Sequence, residues 1–221
     1  MMQIYVHGLG QTPDSWNNVV SQLNAAEDSI CPSLAELIRG KEATYQNLYA
    51  AFSALCDETG EPVNICGLSL GGVLALNYAI DHPDKVESMI LIAAQYKMPK
   101  KLLKFQNVIF RLMPKSMFLQ MGFGKNDFFK LCKTMMELDF SKSLQKVSCP
   151  VLVICGSKDN ANKNASKELA NRLPNSVYHE LCGTGHEVNA EAPENLAKAI
   201  RSFFKGLRDE KSLNWRNTHP K

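Results

Sequence analysis

The sequence predicts an α/β fold in which a mostly parallel sheet of about six strands is flanked by helices. Short apolar runs that resemble strands alternate along the chain with longer amphipathic runs that resemble helices. The strand-like runs are almost continuously hydrophobic, as is usual for strands buried on both faces of a sheet. This alternation is typical of a parallel sheet between two layers of helices. The length of 221 residues fits one large domain, or a domain with an insert.

The first half of the chain supplies four of the predicted strands. They are expected at 3–6, 29–31, 62–66 and 86–93, and the helices between them at 12–25, 41–59 and 70–82. Thr12 is the predicted N-cap of the first helix, because Pro13 suits the first helical position. Pro32 ends the second strand, and Pro83 follows the third helix. The helix at 41–59 is predicted from apolar residues at helical spacing, namely Tyr45, Leu48, Phe52 and Leu55.

The second half completes the alternation after one long interruption. Strands are expected at 150–155 and 176–181, with helices at 163–172 and 193–205. Residues 95–148 contain no convincing strand and are rich in Phe and Met at helical spacing. Because so long an interval is unusual for a loop, we expect an inserted helical lid, hereafter called the insert. The core domain then comprises 1–94 and 149–210, followed by a polar C-terminal tail at 211–221.

Composition limits the classes of protein to which the chain can belong. The net charge of +3 does not indicate nucleic-acid binding. The seven cysteines are odd in number and include no CxxC pair, which favours free thiols in a reducing compartment. The N-terminus does not resemble a signal peptide, and no apolar run is long enough to cross a membrane. We therefore expect a cytoplasmic protein, monomeric or dimeric, with no stable membrane insertion.

The insert differs in charge from the rest of the chain. Between Lys97 and Lys146 there are eleven Lys and Arg and three acidic residues, a net charge of +8, whereas the remainder carries −5. Lys100, Lys104 and Arg111 fall on one face of a predicted amphipathic helix. Such a face can steer an anionic substrate or touch anionic lipid weakly, and it can equally be an ordinary solvated surface.

The segment Gly-Leu-Ser-Leu-Gly-Gly, residues 67–72, lies between a predicted strand and a predicted helix. In a parallel sheet, the loops at the carboxyl ends of the strands form the binding crevice. A turn this tight needs small residues at Gly67 and Gly71 and places Ser69 in a strained backbone conformation. The hydroxyl then projects into the crevice, where the helix directs backbone N–H groups. The pattern predicts a nucleophile elbow; the alternative is a glycine-rich turn with an incidental serine.

A serine hydroxyl needs a base, and the base needs an acid that orients it. His186 lies in a glycine-flanked loop after the last predicted strand, and Asp159 lies just past the strand before it. The chain order Ser69, Asp159, His186 is that of one fold that carries a catalytic triad. The alternative roles are a loop histidine without function and a carboxylate that caps the next helix.

Developing negative charge on a substrate oxygen needs two N–H donors. We expect them to be the backbone N–H groups of Leu70 and Leu9, with Gly10 as the alternative to Leu9. His7, which precedes this first loop, is expected to order it. The apolar pocket beside Ser69 is expected to contain Gly8, Leu68, Phe105, Phe110, Met113 and Phe118. Most Phe and Met residues of the insert should nevertheless pack it onto the core.

The four segments HGLG, GLSLGG, PVLVICGSKDN and GTGHEVNAEAP together resemble the α/β-hydrolase family, over residues 3–205. The small carboxylesterase-like and menaquinone-pathway-like members are the most similar. The resemblance implies a serine hydrolase that acts on a small acyl substrate, an ester or a thioester, without metal or organic cofactor. The family usually has two further strands before the HG loop, so six strands are expected here rather than eight.

Two other readings stay open on the same fold. One is a lyase or a C–C bond hydrolase that uses the same three side chains. The other is a hydrolase-like receptor whose lid moves when it captures a ligand. The serine at the elbow argues against the dehalogenases, which resemble this fold and carry an aspartate there.

Overall fold

A computed structural model describes residues 2–24, 26–100 and 110–218. Six strands form one parallel sheet in the order β2-β1-β3-β4-β5-β6. Their bounds are β1 Gln3–Val6, β2 Ser29–Ile30, β3 Val63–Leu68, β4 Val86–Ile92, β5 Val151–Gly156 and β6 Ser176–Leu181. Helices flank this sheet, so the predicted α/β fold with six strands is confirmed.

The pairing register brings the carboxyl ends of the strands to one edge of the sheet. Leu68 at the end of β3 pairs with Ile92 at the end of β4, and Ile92 pairs with Ile154 in β5. The last residues of β5 and β6, Gly156 and Leu181, are partners as well. Loops that follow these strands therefore meet at a common edge, where ligands bind in parallel sheets.

Two layers of helices cover the two faces of the sheet. The bounds are α1 Asn17–Leu23, α2 Leu34–Leu37, α3 Tyr45–Asp57, α4 Leu70–Asp81, α5 Lys115–Gln120, α6 Lys125–Met135, α7 Lys163–Arg172, α8 Val188–Glu191 and α9 Pro193–Thr218. Helices α3 and α4 and the insert share one buried cluster with the sheet. Helices α1 and α9 share the other, on the opposite face of the sheet.

Capping side chains explain where the early helices begin. Helix α3 starts at Tyr45, four residues later than predicted, because the Thr44 hydroxyl accepts a hydrogen bond from the N–H of Asn47 at 3.2 Å. Helix α2 was not predicted; Ser33 caps it in the same way. Thr12 has an extended backbone but makes no capping bond, and residues 13–16 form a 3₁₀ turn before α1.

The insert leaves and rejoins the core at neighbouring points. Its two ends pair in an antiparallel bridge between Lys97 and Asp139. The N–H of Phe140 donates to the carbonyl of Tyr96 at 2.8 Å, and a second backbone bond joins residues 98 and 138. Phe118 of α5 and Phe128 of α6 are buried and meet edge to face, with ring centroids 5.0 Å apart.

The last helix extends well beyond its predicted end at residue 205. It runs from Pro193 to Thr218, so most of the expected tail at 211–221 continues the helix. Charged and other helix-favouring residues predominate between 207 and 218, and no proline or glycine interrupts them.

None of the helices within the described residues combines the length and the apolar character needed to cross a membrane. All seven cysteines are free, as predicted.

The contact of α4 with β1 leaves no room for a side chain at Gly71. A Cβ atom there would lie 2.2 Å from the carbonyl oxygen of Val6. We expect Gly71→Ala to lower the free energy of unfolding by roughly 3 kcal/mol, the upper range for overpacking, as measured by urea denaturation. Gly206→Ala is the matched control, because nothing lies within 4 Å of a Cβ there. In a helix it should be neutral or stabilise by up to about 1 kcal/mol. Equal stability of the two variants would contradict this reading.

Candidate active site

Ser69 occupies the tight turn between β3 and α4. Its backbone has φ 52° and ψ −111°, a strained conformation for a residue with a side chain. The N–H of Ser69 donates to the carbonyl of Ile92 at 2.8 Å, which anchors the turn to the neighbouring strand. A Cβ at Gly67 would lie 2.4 Å from the backbone of Gly71. The glycines are thus required for the turn, which holds Ser69 at the carboxyl edge of the sheet.

The loop after β1 lies directly against this turn. A Cβ at Gly8 would be 3.5 Å from the Cβ of Ser69 and 2.8 Å from Leu68 Cδ2. Leu70 is the first residue of α4, so its N–H has no acceptor within the helix. No acceptor among the described residues is recorded for the N–H of Leu9. The N–H groups of Leu9 and Leu70 therefore belong to two segments that are in contact with each other beside Ser69.

His7 is buried and holds this loop through both ring nitrogens. Nδ1 donates to the carbonyl oxygen of Gly8 at 2.9 Å, and Nε2 accepts from the N–H of Leu34 at 3.2 Å. These partners require the neutral tautomer with the proton on Nδ1. Burial lowers the pKa of His7, although the bond to Gly8 opposes that effect. The sequence-based expectation that His7 orders the loop agrees with these contacts.

Asp159 and His186 are in direct contact. His186 Nδ1 lies 2.7 Å from Asp159 Oδ2, with the carboxylate side chain 4% exposed and the imidazole 40% exposed. Burial raises the pKa of Asp159, but the hydrogen bonds from His186 and Asn162 outweigh it and leave the pKa below its ordinary value. An ionised carboxylate at this distance stabilises a protonated imidazole. The arrangement suits a histidine that accepts a proton.

The loop that carries His186 is fixed at both ends. A Cβ at Gly156 would lie 2.0 Å from the carbonyl oxygen of Gly185, so β5 and this loop are in backbone contact. The Glu191 carboxylate accepts from the N–H of Gly185 at 2.6 Å and from that of Glu187 at 3.3 Å. His186 is thereby held by backbone contacts on one side and by a carboxylate on the other.

A pair of buried amides links the loop after β1 to α8, the short helix that follows the His186 loop. Gln11 Nε2 donates to Asn189 Oδ1 at 3.1 Å, and Asn189 Nδ2 donates back to Gln11 Oε1 at 3.2 Å. Gln11 Oε1 also lies 3.3 Å from the N–H of Gly8. The histidine loop therefore crosses the edge of the sheet from β5, where it meets Asp159, to β1. Among the described residues no hydrogen bond joins Ser69 to His186, and such bonds often form only with substrate bound.

Sequence reasoning missed four amide residues at this edge. They are Gln11, Gln95, Asn162 and Asn189. Asn162 Nδ2 lies 2.9 Å from each carboxylate oxygen of Asp159, and Gln95 Nε2 donates to Asn162 Oδ1 at 2.7 Å. Each of the four lies in, or next to, a segment that follows a strand or the histidine loop. That position is the only signal in the sequence that singles them out.

The expected pocket residues fall into different environments. Gly8 and Leu68 lie beside Ser69, and Leu68 is buried. Phe110 and Met113 are partly buried against the main cluster. Phe118 is fully buried in the insert against Phe128 and Phe129. Phe105 lies outside the described residues.

The insert touches the loop after β1 through Met121. The Sδ atom of Met121 would be 3.8 Å from a Cβ at Gly10. The N–H of Tyr45 in α3 donates to Thr134 Oγ1 in α6 at 2.8 Å.

In the described part of the chain, no three His, Cys, Asp or Glu side chains cluster as metal ligands would.

Comparison with known proteins places this geometry in context. A model of the alpha/beta hydrolase family matches residues 4–199. The chain is 24% identical over 243 residues to the uncharacterized hydrolase YugF of Bacillus subtilis, which covers 91% of the chain and 89% of that protein. A pimeloyl-[acyl-carrier protein] methyl ester esterase of Neisseria meningitidis is 24% identical over 246 residues, 94% of the chain and 78% of that protein. A second such esterase, from Aromatoleum aromaticum, matches locally: 35% identity over 40% of the chain and 35% of that protein.

Solved structures with the same fold include two esterase-type enzymes. A carboxylesterase structure from Nitrososphaera gargenis has a TM-score of 0.78 at 19% identity, covering 95% of this chain and 92% of that one. The enol-lactonase from Burkholderia xenovorans has a TM-score of 0.75 at 18% identity, covering 92% and 91%. MenH from Staphylococcus aureus has a TM-score of 0.74 at 15% identity, covering 93% and 94%. Likeness at these identities establishes the fold.

The burial of neutral His7 makes the stability of the protein depend on pH. Since its folded-state pKa is below the ordinary value of about 6.5, the unfolded chain takes up the proton first as the pH falls. We expect the free energy of unfolding to fall between about pH 7 and pH 5, as measured by urea denaturation. His7→Gln, which does not titrate, should flatten this slope.

His179→Gln is the matched control, since His179 lies exposed on the edge strand β6. It should keep the slope of the wild type. An unchanged slope in folded His7→Gln would contradict the assignment of that slope to His7.

Proposed function

Because the chain belongs to the alpha/beta hydrolase family, we propose that it is a serine hydrolase that cleaves a carboxylic ester or thioester through an acyl-enzyme. The observation that carries the proposal is the strained Ser69 at the same sheet edge as the Asp159–His186 pair. A positive φ of 52° at a serine costs free energy, and such strain is often found at active sites. The side-chain pair 2.7 Å apart supplies the proton acceptor that such a serine needs.

In the proposed reaction, Ser69 Oγ attacks the acyl carbon while His186 Nε2 takes the hydroxyl proton. Asp159 accepts the Nδ1–H bond, which keeps the correct tautomer and stabilises the imidazolium. The backbone N–H groups of Leu9 and Leu70 stabilise the oxyanion of the tetrahedral intermediate. His186 then donates its proton to the leaving alcohol or thiol. Water, activated by the same histidine, releases the acid and restores Ser69.

Two further observations support hydrolysis over the alternatives. The end of β1, which leads into the loop with Leu9, is in backbone contact with the first turn of α4 at Gly71, and this favours an oxyanion site. Several similar proteins carry names of enzymes that act on ester-type carbonyl groups: a methyl ester esterase, a carboxylesterase and an enol-lactonase. A lyase or a C–C bond hydrolase would use the same three side chains, so trapping of an acyl-enzyme distinguishes them from the proposed esterase.

We expect Ser69→Ala to lower kcat for p-nitrophenyl esters by about 10⁴-fold or more, because the nucleophile is lost. Ser202→Ala, on the exposed face of α9, is the matched control and should retain wild-type activity. A fluorophosphonate should label the wild type and not Ser69→Ala. Pure Ser69→Ala with activity within about tenfold of the wild type would overturn the assignment.

A series of p-nitrophenyl esters of increasing acyl length, run beside amide and C–C bond substrates, would define the substrate class. Rapid turnover of the esters with a trappable acyl-enzyme supports the proposal. Labelling of Ser69 without turnover of any substrate would favour the receptor reading.

The insert is proposed to act as a lid over the acyl site, with Met121 against Gly10 as its point of contact. Its excess of basic residues, eleven against three acidic ones, is proposed to favour anionic acyl substrates or weak contact with anionic lipid. Of the predicted basic face, Lys100 and Arg111 are exposed, and Lys104 lies outside the described residues. Lys100 forms an ion pair with Glu137 at 2.6 Å.

If the insert steers anionic substrates, kcat/KM for an anionic ester should fall with salt more steeply than for a matched neutral ester. Screening shortens the range of the interaction from about 10 Å at 0.1 M salt to about 3 Å at 1 M. A triple variant, Lys100→Gln, Lys104→Gln and Arg111→Gln, should remove the difference in slope. A triple variant of exposed core lysines, Lys41→Gln, Lys198→Gln and Lys205→Gln, should keep it. Equal salt slopes for both esters in the wild type would indicate that the basic face of the insert is an ordinary solvated surface and does not steer substrates.

A further inference from the structure

We propose that Gln95 and Asn162 are positioning residues that fix the Asp159 carboxylate, and through it the orientation of His186. The inference rests on the proposed function, because it assigns a role toward the acid of that site. It adds two residues to the three proposed reacting side chains: Gln95 follows β4, and Asn162 lies between β5 and α7.

The contacts form a continuous chain of hydrogen bonds. Gln95 Nε2 donates to Asn162 Oδ1 at 2.7 Å. Asn162 Nδ2 lies 2.9 Å from both Asp159 oxygens. Asp159 Oδ2 accepts from His186 Nδ1 at 2.7 Å. A carboxylate that is held at both oxygens cannot rotate without breaking at least one bond.

The donors and acceptors of this chain allow only one direction. An ionised carboxylate only accepts, so the NH₂ group of Asn162 must face Asp159. The amide oxygen of Asn162 then points the other way and needs a donor, which Gln95 supplies. Gln95 therefore satisfies the Asn162 oxygen in the one orientation that directs the Asn162 NH₂ group to Asp159. If Asn162 were reversed, its oxygen would face the carboxylate and repel it.

The same geometry protects the tautomer of His186. Asn162 Nδ2 also lies 3.2 Å from His186 Nδ1. Because both groups carry hydrogen when Nδ1 donates to Asp159, this contact is a close approach between two donors and not a second bond. The approach is tolerable while Asn162 directs its hydrogens to the carboxylate oxygens. A displaced amide could instead donate to an unprotonated Nδ1 and stabilise the wrong tautomer for catalysis.

The position of Asn162 argues against an ordinary capping role. It is the N-cap residue of α7, yet its side chain makes no capping hydrogen bond. Asparagine at this position commonly accepts from a backbone N–H of the first turn. Here the side chain gives up that bond and turns toward Asp159. The helix loses one favourable interaction, and the carboxylate gains a donor.

The decisive experiment compares Asn162→Leu with Gln95→Met, both of similar size to the native residues and both without donors. With p-nitrophenyl acetate, we expect Asn162→Leu to lower kcat by roughly 10 to 100-fold with KM within about twofold. A misplacement of about 1 Å is enough for an effect of this size. Gln95→Met should show a smaller fall in the same direction. Asn160→Ala, an exposed residue of the same loop, should retain wild-type values.

The pH profile separates positioning from a merely structural role. The titratable groups that face Asp159 are His186 and Cys155. Loss of the Asn162 donor raises the pKa of the carboxyl, because that bond helps to lower it. Because the carboxylate must be ionised to stabilise the imidazolium, the acid-side loss of kcat/KM should begin at higher pH in Asn162→Leu and, to a smaller extent, in Gln95→Met, where the Asn162 donor is less firmly held. A purely structural role would lower the unfolding midpoint without changing the pH at which that loss begins.

If Asn162→Leu does not fold, Gln95→Met decides alone. Folded variants with wild-type kcat and an unchanged low-pH side of the kcat/KM profile would overturn the inference. A fall in kcat without a change in that part of the pH profile would overturn it as well. Neither result touches the proposed function as long as Ser69→Ala is inactive. Conversely, an active Ser69→Ala would reject the proposed function first.

Discussion

The backbone contact between the first turn of α4 and the end of β1 is the constraint on which the rest of the site depends. It brings two segments 65 residues apart in the chain close enough for the carbonyl of Val6 to exclude any side chain at Gly71. Close packing of this kind leaves little freedom to either segment. The strained turn at Ser69 and the loop held by His7 are then fixed relative to each other, and the proposed oxyanion donors, the N–H groups of Leu9 and Leu70, belong to these two segments. Preorganisation of this kind is where enzymes gain most of their electrostatic stabilisation.

Hydrogen bonds between side-chain amides fix the more distant loops relative to one another, as backbone contact fixes the turn at Ser69. The Gln11–Asn189 pair is 178 residues apart in sequence, and the Gln95–Asn162 bond spans 67. Each amide has a donor and an acceptor end, so a pair specifies orientation as well as distance. Burial strengthens such bonds and makes an unpaired member costly. These two links across the edge of the sheet are made by groups that do not titrate, so they are the same at every pH.

Local patterns in the sequence predicted most of the fold and the main candidate residues of the site. Strand and helix periodicity predicted all six strands, and the glycines around Ser69 predicted the turn. The pairing of Asp159 with His186 followed from their places after adjacent strands. The amide pairs could not be predicted, because asparagine and glutamine are common in loops and their partners are set by packing. Helix ends were less certain for a similar reason: a single hydroxyl, that of Thr44 or Ser33, decides where a helix begins.

The bridge between Lys97 and Asp139 has a consequence for how such a protein can change over time. The chain leaves and re-enters the core through adjacent, hydrogen-bonded residues, so the two ends of the insert lie side by side, and side chains of the insert also pack against the core. A shorter, longer or unrelated segment can be spliced there with little cost in loop closure. Selection can therefore vary the insert, the proposed lid, while the sheet and its loops stay as they are. Grafting the segment of one relative onto the core of another is the natural way to exchange preferences between them.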